Sequence, residues 1–246
     1  MKLLRTICLY AYLAGYAFLH IPLMRRVEKV IAAGNGDSVR KTVEDFVQKG
    51  CETALKIAGI LVFSEGKENI PAGPCVFVAN HRSYFDCAFV LVGLDKPHGV
   101  MAKAEVERIP LINRWMKALG CVFVVREDVR ASMRALYAAA DRVKEGQSFV
   151  IFPEGTTIEG EEGCIGTFKG GAFRAALKAG APIVPVAIRG AVDCFEKNHY
   201  LCGPADITMH ILPAVETRNL SRAEQKELPE KVQKIIHDEL QRMVKA

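Results

Sequence analysis

Short apolar runs alternate with longer stretches of helical period along most of this 246-residue chain. The short runs are rich in β-branched and aromatic residues and end at polar or turn-forming residues, which is typical of buried strands. The predicted strands cover residues 60–64, 75–79, 99–102, 121–125, 148–152, 183–188 and 207–212. Because amphipathic helices separate most of them, the pattern predicts an α/β fold with a mostly parallel or mixed central sheet and flanking helices.

Polar side chains follow four of these strands. His81, Lys103, Arg126 and Glu154 each lie at or just beyond the predicted carboxyl end of a strand. Ligands of open α/β sheets bind beyond the carboxyl ends of the strands. We therefore expect these four side chains to share one site.

The segment Asn-His-Arg-Ser-Tyr-Phe-Asp at residues 80–86 places a base five positions before a carboxylate. With His81 at a strand end and Asp86 in the first turn of the next helix, the carboxylate can accept the ring Nδ1–H and leave Nε2 as a general base. A helix-capping histidine beside an ordinary N-terminal acid is the alternative, because hydrogen-bonded His and Asp pairs are common without catalysis.

The net charge of +5 belongs mainly to the N-terminus. Residues 1–30 hold five Lys and Arg against one Glu, which leaves a balance of only +1 for the other 216 residues. A basic face for nucleic acid is therefore not expected, and nucleic acid is excluded as a partner.

Residues 6–24 form a run of 19 residues without a formal charge. Its length is near the ~20 residues that a bilayer-spanning helix needs, although Gly15, His20 and Pro22 weaken a clean crossing. Tyrosines within the run and basic residues on both flanks suit a membrane interface. We expect a membrane anchor that either spans the bilayer or lies in one leaflet.

Two alternatives exist for this run: a cleaved signal peptide, for which a small-x-small cleavage site is lacking, and a buried core helix, which would be unusually long. The favoured division is a membrane-anchoring segment at residues 1–36 and an α/β domain at residues 37–246. It implies a membrane-associated protein on the cytoplasmic face of the inner or plasma membrane.

The eight cysteines are scattered through apolar segments, with no Cys-x-x-Cys pair and no Cys/His ligand spacing. This distribution indicates buried thiols in a reducing compartment and no metal site. None of the cysteines stands out as a nucleophile.

Four ordered blocks carry a resemblance to a known family. They are Asn80-His81-x4-Asp86, then Lys103 with Ile109-Pro110 and residues 120–126, then Phe152-Pro153-Glu154-Gly155-Thr156, and then Val184-Pro185-Val186-Ala187-Ile188. Their order and spacing resemble the glycerolipid acyltransferases, typified by the 1-acyl-sn-glycerol-3-phosphate acyltransferases. The blocks cover residues 80–190, and the N-terminal anchor fits the same family.

The resemblance implies an O-acyltransferase of phospholipid biosynthesis. Such an enzyme moves a fatty acyl group from acyl-CoA or acyl-carrier protein to the free hydroxyl of a lysoglycerolipid, most simply 1-acyl-sn-glycerol-3-phosphate, to give phosphatidic acid. His81 would be the general base and Asp86 its orienting carboxylate. No bound cofactor is implied, and the partners are membrane lipids, the lysolipid acceptor and the acyl donor.

The resemblance also implies a set of substrate-binding residues: Lys103, Arg126, Glu154, Gly155, Thr156, Thr157 and Lys169. Glu154 and the hydroxyls would hold glycerol or headgroup oxygens, and Gly155 would let the backbone approach the ligand. The three cations would bind a phosphate, Lys169 together with a glycine pair predicted to open a helix over residues 169–178. Arg189 is a weaker candidate.

The chain departs from the family pattern at Thr157, where the lysophosphatidate enzymes usually have an arginine. A neutral hydroxyl there removes a bidentate phosphate contact. The acidic residues at 159–162 are also unusual beside an anionic headgroup. Two other acceptor classes therefore remain alternatives: lysophospholipids with a larger headgroup, and lyso-ornithine lipids.

Two functions from other classes are weaker alternatives. A lipid hydrolase would also use a His/Asp pair near a membrane, but the sequence has no Gly-x-Ser-x-Gly elbow for its nucleophile. A non-catalytic lipid-binding protein is the other.

Overall fold

The computed structural model describes residues 1–96, 98–125 and 128–245, apart from the side chains of His98 and Val129. The strands are β1 (Ile60–Glu65), β2 (Val76–Ala79), β3 (His98–Lys103), β4 (Val122–Val124), β5 (Ser148–Ile151), β6 (Ile183–Arg189) and β7 (Ala205–Ile211). The α-helices are α1 (Lys2–Leu19), α2 (Ile21–Ala32), α3 (Asp37–Ala58), α4 (Asp86–Gly93), α5 (Ile112–Ala118), α6 (Val129–Lys144), α7 (Arg174–Ala179) and α8 (Arg222–Lys245).

The strands form one seven-stranded sheet in the order β1-β7-β6-β2-β5-β3-β4. Every neighbouring pair is parallel except β6 and β7. The sheet is therefore mixed, with β1 and β7 running against the other strands, and the predicted α/β class is confirmed. The carboxyl ends of β2, β5, β3 and β4 lie along one edge, where the polar residues were expected.

The central strand β2 is buried on both faces, as in sheets that helices cover on both sides. Phe77 and Ala79 belong to the core with α3 and α4, whereas Val76 and Val78 belong to the core with α6 and α8. Burying side chains of this size stabilises a fold by roughly 1.5–3 kcal/mol each. The strand that leads into residues 80–86 is thus firmly fixed.

The uncharged N-terminal run is not a single helix. It breaks between Leu19 and Ile21, and the axes of α1 and α2 are bent by 54°. Pro22, in the first turn of α2, has no N–H to donate to the carbonyl of Phe18, and its ring would clash there. Among the helices of the described ranges, none alone has the length and apolar character to cross a bilayer, whereas α1 and α2 together do.

Both N-terminal helices pack against the rest of the protein. The inner face of α1 buries Thr6 and Leu9, and Thr6 Oγ1 accepts the backbone N–H of Cys202 at 2.8 Å. Arg114 Nε of α5 donates to Glu28 Oε1 of α2 at 2.7 Å. The segment is therefore docked on the α/β part rather than separate from it.

The helix predicted over residues 169–178 begins later than expected. Residues Gly170–Phe173 form a short 3₁₀ turn, and α7 starts only at Arg174. Two adjacent glycines are poor α-helix formers, which explains the late start.

Candidate active site

Asn80 fixes the chain where β2 ends. Its side-chain Nδ2 donates to the carbonyl of Ile188 at 2.9 Å, and its Oδ1 accepts the N–H of Ile188 at 2.8 Å. This reciprocal pair joins the end of β2 to the neighbouring strand β6. The residues that follow Asn80 therefore start from a rigid point on the sheet.

His81 and Asp86 are in direct contact. His81 Nδ1 lies 2.8 Å from Asp86 Oδ2, and Asp86 is fully buried in the first turn of α4. The imidazole also stacks on Phe152 at the end of β5, with ring centroids 4.5 Å apart. Because Nδ1 is engaged by the carboxylate, Nε2 is the ring nitrogen left for proton transfer.

The same carboxylate oxygen holds the turn after His81. Asp86 Oδ2 accepts the backbone N–H groups of Arg82 at 2.7 Å and Ser83 at 2.8 Å. Its second oxygen, Oδ1, is buried and has no hydrogen-bond partner among the described residues. Asp86 thus fixes both the ring and the backbone around it.

Glu154 lies beneath His81 and is itself buried. Its Oε2 accepts the backbone N–H of His81 at 2.7 Å, and its Oε1 accepts that of Gly166 at 2.8 Å. Burial raises the pKa of Glu154 to about 6, while the bonds from Gly166 and His81 oppose that shift. Both carboxylate oxygens already accept backbone N–H groups. This geometry does not favour the predicted contact of Glu154 with headgroup oxygens, which stays a prediction.

Lys169 lies close to Gly155. A Cβ built on Gly155 would come 2.9 Å from Lys169 Nζ, and Gly155 has a left-handed φ of +71°. The backbone N–H of Lys169 donates to the carbonyl of Pro153 at 3.0 Å. A cation therefore borders the turn that follows β5.

The remaining predicted substrate-binding residues are dispersed. Lys103 ends β3 at the same sheet edge, but its half-exposed ammonium pairs with Glu105 at 2.9 Å. Thr156 is exposed and Thr157 is half-buried. Arg126 lies outside the described residues. The structure thus groups His81, Asp86, Glu154, Gly155 and Lys169. Lys103 pairs with Glu105 instead, and Thr157 lines a groove beside Arg82 and Tyr84.

Arg82 has a structural role that the sequence did not indicate. Its side chain is buried and donates to the carbonyls of Gly160 and Glu161, each at 2.8 Å, and of Cys164 at 3.1 Å. The acidic segment noted in the sequence is thus held across the His81 turn through its backbone carbonyls. Arg82 lies between the motif residues His81 and Asp86, but the local sequence does not indicate that its partners are about 80 positions away.

Within the described residues, no group of three or more His, Cys, Asp and Glu side chains is arranged to hold a metal ion. The side chains at this edge instead form a half-buried base, its buried carboxylate and, beside Gly155, an exposed cation. Such an arrangement can remove a proton from a hydroxyl and bind an anionic group.

Comparison with known proteins gives a consistent result. A family model described as Acyltransferase matches residues 61–189. The chain is 32% identical over 176 residues to the 1-acyl-sn-glycerol-3-phosphate acyltransferase of Borreliella burgdorferi, covering 71% of this chain and 70% of that protein. It is 28% identical over 220 residues to the protein of the same name from Pseudomonas aeruginosa, covering 87% and 82%.

A solved structure is similar over nearly the whole chain. The crystal structure of the 1-acyl-sn-glycerophosphate (LPA) acyltransferase PlsC from Thermotoga maritima superposes with a TM-score of 0.77 at 27% identity, covering 99% of this chain and 98% of that one. The similarity therefore includes the N-terminal helices and α8, which lie outside the region that the family model matches.

Proposed function

Because this chain belongs to the acyltransferase family, we propose that it transfers a fatty acyl group from an acyl thioester to the free hydroxyl of 1-acyl-sn-glycerol-3-phosphate, giving phosphatidic acid. The observation that carries the proposal is the 2.8 Å contact between His81 Nδ1 and the buried Asp86 at the carboxyl edge of the sheet. The contact leaves Nε2 of His81, a residue of the first family block, as the ring nitrogen that can act as a base on a substrate hydroxyl.

The chemistry follows from that orientation. His81 Nε2 takes the proton from the acceptor hydroxyl while the oxygen attacks the thioester carbonyl. The C–O bond forms, the C–S bond breaks, and the imidazolium returns its proton to the leaving thiolate. The Asp86 carboxylate stabilises the imidazolium between these two steps. General-base catalysis supplies roughly 10²- to 10⁴-fold, so the positioning of both substrates supplies much of the rest.

The acceptor phosphate needs cations, and Lys169 beside Gly155 is the best placed of the candidates. Lys103 lies at the same sheet edge and is the second. Binding of the phosphate to Lys103 would exchange its contact with Glu105 for a charge-assisted bond to the ligand.

A second acceptor class is favoured by one observation. Thr157 lines a groove of about 260 Å³ together with Glu159, Lys197 and Tyr84. The groove offers room and mixed charge where the family's arginine would otherwise stand. A lysophospholipid with a larger headgroup, or a lyso-ornithine lipid, is therefore the alternative acceptor.

The N-terminal helices support a membrane-bound enzyme that lies in one leaflet. The outer face of α1 exposes large apolar side chains: Leu3, Leu4, Ile7, Tyr10, Phe18 and Leu19. Basic residues of α2, Arg25, Arg26 and Lys29, are also exposed and suit anionic headgroups. Since the inner face of α1 packs on the protein, an in-plane position fits better than a crossing. Residues 1–36 are thus the anchor, on the cytoplasmic face where acyl-CoA and acyl-carrier protein are present.

The decisive experiment is an acyl-transfer assay of purified protein in phospholipid vesicles. Lysophosphatidate, lysophosphatidylethanolamine, lysophosphatidylcholine and a lyso-ornithine lipid would each be offered with acyl-CoA and with acyl-carrier protein. The highest kcat/KM is expected for lysophosphatidate. A preference for a larger headgroup would favour the alternative acceptor, and free fatty acid as the main product would contradict acyl transfer altogether.

A further inference from the structure

Glu196 makes contacts with the His81 turn that no motif accounts for. It opens the short 3₁₀ helix Glu196–Asn198 between β6 and β7, beyond the last residue that the family model matches. Its Oε1 accepts the backbone N–H of Tyr84 at 2.8 Å. Its two carboxylate oxygens lie 3.0 and 2.9 Å from the hydroxyl of Ser83, which donates to them.

Ser83 is therefore held from two sides. Its backbone N–H donates to Asp86 Oδ2, and its hydroxyl donates to Glu196, while the residue is fully buried. Asp86 thus binds the peptide N–H on the N-terminal side of Ser83, whereas Glu196 binds the Ser83 hydroxyl and the N–H of the peptide that follows it. A shift at Ser83 would move the donors around Asp86 and, through Asp86, the His81 ring.

The electrostatic setting is consistent with a fixed carboxylate. Burial raises the pKa of Glu196, while bonds from Tyr84 and Ser83 oppose that shift and the Asp86 charge adds to it. The hydrogen bonds thus offset part of what it costs to keep a half-buried charge beside Asp86. A carboxylate held half-buried beside another carboxylate is destabilising by itself, so its fixed position calls for a functional explanation.

We propose that Glu196 is a positioning residue for acyl transfer: it holds the Ser83–Tyr84 turn and thereby keeps Asp86 and His81 in register. The inference rests on the proposed function, because it concerns the geometry of the same base. Glu196 lines the groove beside Thr157, but both of its carboxylate oxygens are already engaged by Ser83 and Tyr84, so it is not expected to bind either substrate. Its loss should therefore lower kcat and leave KM for both substrates nearly unchanged.

Three substitutions test this with one matched control. Glu196→Ala removes the acceptor, Glu196→Gln keeps one carbonyl oxygen for the Tyr84 N–H, and Ser83→Ala breaks the side-chain contact from the other side. Asp193→Asn is the control, because Asp193 is a half-exposed acid in the adjacent 3₁₀ turn that pairs with Lys197 at 2.8 Å. Each variant is assayed for acyl transfer to the best wild-type acceptor and for its thermal midpoint.

Misplacement of a catalytic group by about 1 Å can lower a rate by about 10²-fold, so kcat of Glu196→Ala is expected to fall roughly 10- to 100-fold, with KM within about twofold of wild type. Glu196→Gln should recover part of the loss, and Asp193→Asn should match wild type.

A folded Glu196→Ala protein with wild-type kcat, or one affected through KM alone, overturns the inference. If Glu196→Ala does not fold, Glu196→Gln and Ser83→Ala decide by the same criterion. If the wild type transfers acyl groups to no lysolipid, the proposed function fails, and this inference fails with it.

Discussion

The ammonium of Lys169 occupies the space that a side chain on Gly155 would need, since a Cβ there would lie 2.9 Å from Lys169 Nζ. The glycine thus serves two needs: its φ of +71° closes the turn after β5, and its missing side chain admits a cation. The contact joins two residues that are 14 positions apart in the sequence.

Gly155→Ala should therefore impair acceptor binding more than folding. The end of a flexible lysine can move away from the new methyl group, so the clash displaces Nζ instead of disrupting the core. The KM for lysophosphatidate is expected to rise roughly tenfold, because a charge-assisted phosphate contact is worth about 1.5–3 kcal/mol. Steady-state kinetics with varied acceptor measure this change.

Gly146→Ala is the matched control for backbone strain. Gly146 has φ +95° and no atom within 4 Å of a built Cβ, so only the left-handed conformation is penalised. It should lose about 1 kcal/mol of stability and keep wild-type KM. Equal effects of the two substitutions on KM would contradict a role for Gly155 in placing Lys169.

Asp86→Asn should lower kcat by roughly 10²- to 10⁴-fold, because the neutral amide no longer stabilises an imidazolium at His81. Its carbonyl oxygen can still accept the N–H groups of Arg82 and Ser83, so the protein should fold. His81→Ala should abolish transfer. Initial rates and thermal melts of both variants check this, and full transfer by a folded His81→Ala protein would place the active centre elsewhere.

The elements of this fold could largely be predicted because their signals are local. Apolar runs and helical periodicity gave the strands and most helices, and the five-residue spacing indicated the contact that His81 and Asp86 make in the structure. The break between α1 and α2 is harder to predict. A proline such as Pro22 can begin a new helix, but prolines also occur within continuous apolar helices. The order of β7 and β1 in the sheet depends on pairings between distant segments, which a local pattern does not encode.

The supporting residues of the site could not be predicted for the same reason. The motif predicts that Glu154 binds a ligand, whereas in the structure its carboxylate accepts the backbone N–H groups of His81 and Gly166. Arg82 and Glu196 act on partners about 80 and 112 positions away. The local sequence around a charged residue does not show whether its side chain is solvated or bonded to a distant segment. Only the folded structure distinguishes the two cases.

Thr157→Arg should improve the use of lysophosphatidate relative to lysophosphatidylethanolamine. The arginine would add a bidentate phosphate donor at the mouth of the groove that Thr157 lines, and we expect the ratio of kcat/KM values to rise roughly tenfold. Thr157→Gln is the control of similar bulk without charge. An unchanged acceptor ranking in the arginine variant would show that this position does not limit phosphate binding.

The buried Glu154 should make stability fall as pH rises. Its pKa is about 6 in the folded protein against 4.5 for a free side chain, so the folded state binds the proton more tightly. The stabilisation from that proton is complete below pH 4.5 and is lost as pH rises through about 6. The shift corresponds to about 2 kcal/mol.

Glu154→Gln cannot titrate and should remove this component. The difference in unfolding free energy between wild type and Glu154→Gln should change by about 2 kcal/mol between pH 4.5 and 7, as measured by denaturant titration. Glu230→Gln, at an exposed position of α8, serves as the control and should show no such change. A pH-independent difference for Glu154→Gln would show that burial does not perturb this carboxyl.

The outer face of α1 should determine how tightly the protein binds a membrane. Ile7 and Phe18 are 56% and 67% exposed on that face, and burying such a side chain in the acyl boundary is worth about 1.5–3 kcal/mol. Ile7→Asp or Phe18→Asp should therefore weaken binding to anionic vesicles at least about tenfold in a sedimentation assay. Phe63→Asp removes a 51% exposed apolar side chain from β1 and should bind like wild type. Equal losses in all three variants would mean that general surface hydrophobicity, and not α1, holds the protein on the bilayer.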